Sequence, residues 1–454
     1  RTLPASSEGP MPHSAHAETP MRDVWRLALP IILSNLSTPL LGAVDTAVMG
    51  HLPDPAYIGA VAVGAIVFSF LYWGFGFLRM GTTGFAAQAY GAGNAAELRA
   101  TLGRPLMLAV LLGALLIALQ APIGLVAFRL VEASPQVESF AREYYAIRIW
   151  SAPFALTNYA VLGWLLGTQH PRLALALQVT LNGVNAALDL VFVVGFGWTI
   201  AGVAAASLIA EIVAAGLGLA ICAVLLRRMG GRWSWDRIRD RERLVALLRV
   251  NRDIFLRTLS LIFAFAYFTA RGAEMGELRL AANAILMQLQ QFLSFGLDGF
   301  AHAAEILAGS AVGRRDRAAF RRAVLSSTLW ALVLATVAAA VFGLLGGPIV
   351  RLYTDLADVR ATALEFLPWM VLSPFVSVWP FMLDGVFIGA TRTTAMRNAM
   401  IVSLAIYLLA CWTLIPWLDN HGLWLSLIIF MTARGATLGW HYPALERSVA
   451  EHSD

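Results

Sequence analysis

Long apolar segments separated by short polar loops make up most of this 454-residue chain. A helix needs about 20 apolar residues to cross a bilayer, and twelve segments reach that length. They lie at 24–49, 57–89, 101–128, 138–168, 172–195, 202–228, 245–271, 280–311, 318–346, 360–389, 394–416 and 422–446. The pattern predicts an all-α membrane protein with twelve transmembrane helices, numbered helix 1 to helix 12 in chain order.

The chain also repeats itself at an offset of 222 residues, because 58–99 aligns without a gap onto 280–321. Ten of the 42 aligned positions are identical. The identical pairs include Phe70/Phe292, Leu71/Leu293, Gly74/Gly296, Gly91/Gly313 and Arg99/Arg321. The repeat predicts two homologous six-helix lobes, related by a pseudo-twofold axis along the membrane normal. Repeats of this kind usually build transporters that hold the substrate between the lobes.

Five segments follow from this division. We expect a disordered tail at 1–21, an N-lobe of helices 1–6 at 22–228, a cytoplasmic inter-lobe linker at 229–244, a C-lobe of helices 7–12 at 245–448, and a C-terminal tail at 449–454. The first nineteen residues lack a continuous apolar segment, so they do not resemble a signal peptide. Cys222 and Cys411 fall inside predicted spans, where a buried packing role is expected instead of a disulfide or metal site.

Charge sets the expected orientation. Only 13% of residues are charged, against roughly a quarter in soluble proteins. The chain contains Arg but no Lys. Nine Arg lie in 227–252 and five in 314–322, whereas the opposite loops carry few. By the positive-inside rule these segments, and both termini, face the cytoplasm from the inner (plasma) membrane. The net charge of +5 therefore reflects topology and contact with anionic lipid, not nucleic-acid binding.

Polar side chains inside the helices are the candidate functional residues, since a charge at the bilayer centre costs about 3 kcal/mol. Asp45 is predicted in the outer half of helix 1. Five polar residues of helices 5 and 6 reach a comparable depth: Asn182, Asn185, Asp189, Ser207 and Glu211. Spacings of four place Asn185 with Asp189, and Ser207 with Glu211, on one helix face. We therefore expect these groups around one cavity.

Three interpretations of this cluster are open. It can act as a proton site, because burial and a second carboxylate favour the protonated form of one acid. Its oxygens can equally hold a dehydrated cation such as sodium. Alternatively, Asn185, Asp189 and Ser207 only join helices by hydrogen bonds, worth under about 1 kcal/mol each in membranes.

Several separated motifs resemble the multidrug and toxic compound extrusion (MATE) family. Pro30 stands fifteen residues before Asp45, and Asn185-x-x-x-Asp189 lies in helix 5. The strings LDGFAHAAE at 297–305 and LDGVFIGAT at 383–391 are similar to the DinF branch of that family. The resemblance covers the chain after its tail. It implies export of organic, often cationic, compounds in exchange for protons or sodium.

The resemblance also implies roles for individual residues. Asp45 matches the helix 1 acid whose protonation is coupled to bending at a proline, here Pro30. Asn185 and Asp189 match its partners, and Ser207 takes the place of a Thr in a proposed sodium site. The substrate cavity is expected to include Asn158, Asn182 and Glu211. Other branches carry an acid in helix 7, where this chain has only Arg257, so coupling is expected in the N-lobe.

Helix 8 carries a second polar stripe, Asp298, His302 and Glu305, at spacings of four and three. One interpretation is a second protonation or gating site. The interpretation we favour is a polar network that fixes helix 8 to helices 7 and 10 through Arg257 and Asp384.

Two other functions are alternatives to the export of organic compounds. A flippase for lipids or lipid-linked precursors shares this architecture, but it would be expected to line its cavity with cationic groups. A membrane-embedded transferase is disfavoured because the chain has no HExxH, GxSxG or phosphate-binding Gly-rich loop with Lys. We expect a monomeric transporter of small organic compounds in contact with membrane lipids. It would use no cofactor beyond the coupling ion and would bind no nucleic acid.

Overall fold

The computed structural model describes residues 20–49, 56–131 and 133–451, apart from the side chains at 20, 38–47, 49 and 451. Its described residues form helices joined by short loops. The predicted tail at 1–21 therefore lies almost wholly outside the described residues, and helix 1 begins at Pro20.

Helices 1–6 form the N-lobe. Helix 1 is Pro20–Met49, helix 2 is Ala56–Trp73 continued by Phe77–Gly91, and helix 3 is Ala95–Ala118 continued by Gln120–Leu130. Helix 4 is Pro135–Arg148 continued through the 3-10 turn Ile149–Ser151 into Ala152–Gly167. Helix 5 is Pro171–Asp189 with a π-helical extension Leu190–Gly195, and helix 6 is Ile200–Arg228.

A short linker helix, Trp235–Ile238, leads into the C-lobe. Helix 7 is Arg241–Glu274, helix 8 is Glu277–Arg314, helix 9 is Arg317–Tyr353 and helix 10 is Ala357–Gly389. Helices 11 and 12 form one helical stretch, Thr393–Glu451, that is divided at Asp419, where φ is 53° and ψ is −129°.

Nine helical stretches within the described residues are long and apolar enough to cross a membrane. One of them, Thr393–Ala450, contains both helix 11 and helix 12. Helices 1 and 8 complete the set of twelve, so the predicted all-helical fold is confirmed.

The repeat is visible in backbone detail at the start of helices 3 and 9. Asn94 caps helix 3 by accepting a hydrogen bond from the Glu97 N–H at 2.9 Å. Asp316, which is 222 residues later, caps helix 9 by accepting from the Ala319 N–H at 2.8 Å. The preceding residues, Gly93 and Arg315, share the left-handed conformation, with φ of 66° and 58°. The two lobes therefore use one local design, a left-handed residue followed by an N-cap.

The lobes meet where helix 2 crosses helix 8. A Cβ on Gly91 would overlap the main chain of Ser310, and a Cβ on Gly313 would overlap the main chain of Gln88. Since Ser310 and Gln88 are also 222 residues apart, the two contacts are equivalent under the repeat, as expected for a pseudo-twofold axis. This crossing lies beside the Arg-rich loop at 314–322. The end of the molecule that carries this loop is called the Arg-rich side below.

Candidate functional site

The helix 5 pair forms as the spacing predicts. The Asn185 amide Nδ2 donates to Asp189 Oδ2 at 2.8 Å, and both side chains are buried, with 3% and 0% exposed. A carboxylate that is buried in a membrane helix must be paired, protonated or bound to a cation. The Asn185 amide supplies one hydrogen-bond partner to this carboxylate.

Helix 5 contacts helix 1 next to this pair. Asn182 Nδ2 donates to Ser37 Oγ at 3.0 Å and to the Ser37 carbonyl oxygen at 3.3 Å, and Gln178 Nε2 donates to Asn182 Oδ1 at 3.1 Å. These bonds hold the polar face of helix 5 against the helix that carries Asp45. The side chain of Asp45 lies outside the described residues, so its contact with Asp189 stays a prediction. Asn182 accordingly faces helix 1.

Helix 1 passes through Pro30 as a continuous helix. Pro30 is buried, and it removes one backbone donor from the helix. The hinge inferred from the sequence therefore stays a prediction.

The other polar residues of helix 6 do not join the helix 5 pair directly. Glu211 accepts a hydrogen bond from Asn158 Nδ2 of helix 4, at 2.6 Å to Oε2 and 3.2 Å to its carbonyl oxygen. Ser207 is buried, and within the described residues no side-chain hydrogen bond joins it to Asn185 or Asp189. Glu211 therefore bonds helix 4, and the expectation that these groups surround one cavity with Asp45 stays a prediction. Depth along a helix does not fix which way each helix face points.

A basic side chain completes the Glu211 group. The Arg148 guanidinium lies above the Phe68 ring, 4.9 Å from its centroid, contacts the Tyr144 hydroxyl and interacts electrostatically with Glu211. Arg148 was not predicted as a functional residue, although it falls inside the predicted span 138–168. A search for basic as well as acidic residues within spans would have found it.

Three carboxylates and a His lie in the C-lobe network. Asp384 of helix 10 forms an ion pair with Arg257 of helix 7, and also one of 2.8 Å with Arg434 of helix 12. Helices 7 and 10 are therefore joined through the two residues named from the sequence. Arg434, which is 2% exposed, adds helix 12 and was missed.

The helix 8 stripe also contacts helix 2 of the N-lobe, which the sequence did not predict. His302 Nδ1 lies 2.7 Å from Glu305 Oε2, and Arg79 Nη1 of helix 2 lies 3.0 Å from His302 Nε2. Because Arg can only donate, His302 accepts at Nε2 and donates its Nδ1–H to Glu305. Asp298 interacts electrostatically with His302 and Arg79, and also with Arg257 of helix 7 and Asp384 of helix 10. The direct contacts therefore join helix 8 to the N-lobe. The network that was expected to fix helix 8 to helices 7 and 10 thus also extends to helix 2, through Arg79.

The predicted sodium site involves Asp45, Asn185, Asp189 and Ser207. Among the described residues, no group of three or more His, Cys, Asp or Glu side chains could hold a metal ion. The sodium site depends on Asp45, outside the described side chains, so it stays a prediction. What the described residues offer is a buried carboxylate with an amide, and a second carboxylate beside an arginine.

Known proteins resemble the whole chain. The family model MatE matches residues 30–191 and 254–413. DNA damage-inducible protein F of Escherichia coli (strain K12) is 44% identical over 423 residues, covering 91% of this chain and 90% of that protein. A probable multidrug resistance protein NorM of Bradyrhizobium diazoefficiens is 28% identical over 382 residues, covering 80% of this chain and 78% of that protein.

Solved structures share the fold. The crystal structure of MATE in the bent conformation superimposes with a TM-score of 0.86 at 21% identity, over 95% of this chain and 98% of that chain. An outward-facing multidrug resistance MATE family transporter gives 0.82 at 20% identity, over 95% and 97%. The chain belongs to the MatE family, in its DinF branch, and is a transporter and not an enzyme.

Proposed function

We propose that this protein is a cation-coupled antiporter that exports organic, often cationic, compounds, with coupling through acids of the N-lobe. The observation that carries the proposal is the Asp189 carboxylate, fully buried and hydrogen-bonded to Asn185. The names of relatives support the substrate class, since they include probable multidrug resistance proteins and MATE structures in complex with MaD3S and MaD5.

The coupling follows from the cost of burying charge. A charged acid at the bilayer centre costs about 3 kcal/mol unless it is compensated. A proton or a cationic substrate can each compensate it, and the two then compete for the same buried acid. Every 1.4 kcal/mol of difference between two lobe arrangements changes their ratio about tenfold. Release of one ligand at each side of the membrane would thus exchange substrate for cation.

We favour the proton over sodium as the coupling ion. A sodium ion needs several oxygen ligands at short range. A proton needs only one acceptor. The buried Asp189, together with Asp45, is suited to that role.

Alternating access would use the crossing of helices 2 and 8. The tight contacts at Gly91 and Gly313, and the 2.9 Å hydrogen bond from Gln88 Nε2 to the Gly389 carbonyl, join the lobes on the Arg-rich side. If that side is cytoplasmic, the described arrangement is closed to the cytoplasm. Transport would require these contacts to separate in the opposite state. Pro30 would let helix 1 bend as the N-lobe site changes its charge.

The test is transport by purified protein in proteoliposomes. A fluorescent organic cation is loaded, and a proton gradient and a sodium gradient are imposed separately at equal membrane potential. We expect the proton gradient alone to accelerate substrate movement above that of protein-free vesicles. If the sodium gradient alone accelerated transport, sodium and not the proton would be the coupling ion. Movement of a labelled lipid, with no movement of the organic cation under either gradient, would contradict export and favour a flippase.

A further inference from the structure

A cavity of about 510 Å³ opens at the Arg-rich ends of helices 3 and 6, away from the lobe interface. Arg99, Arg227 and Arg232 line one end of it, and the other end is apolar, with Leu102, Leu106 and Leu219 among its lining residues. A pocket with a cationic end and an apolar end matches a ligand that has the same two parts.

Among the described residues, no acidic side chain lines the cationic end of the cavity. Arg99 is only 6% exposed, and its Nη atoms donate to the carbonyls of Gly230 and Leu226, the latter at 2.6 Å. Its buried Nε has no hydrogen-bond partner. Arg227 and Arg232 are exposed. Three guanidinium groups therefore line the pocket, and within the part of the chain that the structure describes none of them forms an ion pair.

The repeat provides a comparison within the molecule. Val324 and Thr328, the counterparts of Leu102 and Leu106, line a groove of about 900 Å³ between helices 9, 10 and 12 of the C-lobe. The counterpart of Arg99 is Arg321, which is exposed. Both lobes therefore have an apolar groove at this position, but only the N-lobe adds a buried arginine to it.

We propose that the N-lobe cavity is a binding site for an anionic phospholipid of the leaflet on the Arg-rich side. Its phosphate would lie between Arg99, Arg227 and Arg232, because guanidinium groups bind phosphate oxygens in a fork. One acyl chain would follow the apolar wall of helices 3 and 6. Trp233, which also lines the cavity and is 53% exposed, is placed as membrane-interface tryptophans are.

The site would also act on the inter-lobe linker. A Cβ on Gly103 would contact both Ile238 and Trp233, so the linker packs closely on helix 3. Arg104 Nη2 also donates to the Arg237 carbonyl at 2.7 Å. A lipid held between Arg99 and Arg232 would therefore bind helix 3, helix 6 and the linker together.

The test is lipid binding to the purified full-length protein by native mass spectrometry. Phosphatidylglycerol and phosphatidylcholine with identical acyl chains are titrated separately in a neutral detergent. We expect wild type to prefer phosphatidylglycerol. The variant R227Q/R232Q should weaken that binding about tenfold, since it removes two of three phosphate partners. The matched control R228Q/R249Q removes the same charge from exposed arginines outside the cavity and should change binding less than about twofold.

A second variant separates a pocket from diffuse attraction. Ala223→Trp fills the apolar part of the cavity and leaves all charges in place, so it should also abolish the preference for phosphatidylglycerol. Arg99 is left intact because it caps helix 6. Equal binding of the two lipids by wild type, equal loss in R228Q/R249Q, or full binding by the Ala223→Trp variant would each overturn the proposal. If inorganic phosphate alone displaced phosphatidylglycerol, the ligand of this site would be a free anion and not a lipid, which would also overturn the proposal.

Discussion

The Arg79 guanidinium of helix 2 lies 3.0 Å from His302 Nε2 of helix 8, so a hydrogen bond joins the N-lobe to the C-lobe. His302 in turn donates to Glu305 at 2.7 Å. Residues 223 positions apart in the chain therefore form a charged contact between the two lobes, which would separate in the proposed transport cycle. Such a contact stabilises the arrangement in which it forms, and its loss favours the other arrangement.

Replacing His302 by Leu should open the Arg-rich side. A hydrogen bond to a charged group contributes about 1.5–3 kcal/mol, so the open population should rise roughly tenfold or more. The measurement is the distance between spin labels at Ala92 and Ala318, both exposed on that side, in a background without Cys222 and Cys411. The matched control is His441→Leu, at an exposed His bonded to its own helix. Identical distance distributions in the two variants would show that the Arg79 contact does not hold the lobes.

The glycines at the lobe crossing should not tolerate a side chain. Gly91→Ala and Gly313→Ala each place a methyl group against the main chain of the other lobe, so closure of the Arg-rich side, and hence transport, should fall at least about tenfold. Stability should hold or rise, because Ala favours helix over Gly by about 1 kcal/mol. The control is Gly216→Ala, which meets nothing within 4 Å. Transport and melting temperature are measured together, and normal transport by Gly91→Ala would contradict the tight crossing.

The Asp384 carboxylate should stabilise the folded protein. Its carboxylate compensates Arg257 and Arg434, which are buried or nearly so. Asp384→Asn leaves both cations uncompensated, and breaking a buried pair costs about 3–5 kcal/mol. We expect a clear fall in melting temperature in detergent. Asp355→Asn is the control, because Asp355 is fully exposed beside Arg360 and its loss should leave the melting temperature unchanged. Equal melting temperatures of the Asp384→Asn and Asp355→Asn variants would mean that the ion pairs of Asp384 do not stabilise the fold.

The sequence was sufficient for the helices and the repeat, because hydropathy and the 222-residue offset are properties of the chain itself. It also found Asn185 with Asp189, since a spacing of four fixes a shared helix face. It did not find Arg79, Arg148 or Arg434. Each of them acts on a residue far away in the chain, or through a lobe interface, and periodicity carries no information about which helices are neighbours. For the same reason, the hydrogen bond between Asn158 and Glu211 was not predicted from the sequence.

The central claim is that acids of the N-lobe exchange a cation for the substrate. The most direct measurement records internal pH in proteoliposomes while a substrate gradient drives transport, for wild type, Asp45→Asn and Asp189→Asn, with Asp355→Asn as control. The account predicts proton movement opposite to the substrate in wild type and Asp355→Asn. It predicts no proton movement in Asp45→Asn, although substrate still binds, because an amide cannot change its charge. Proton exchange by Asp45→Asn and Asp189→Asn at the wild-type rate would contradict coupling through these acids.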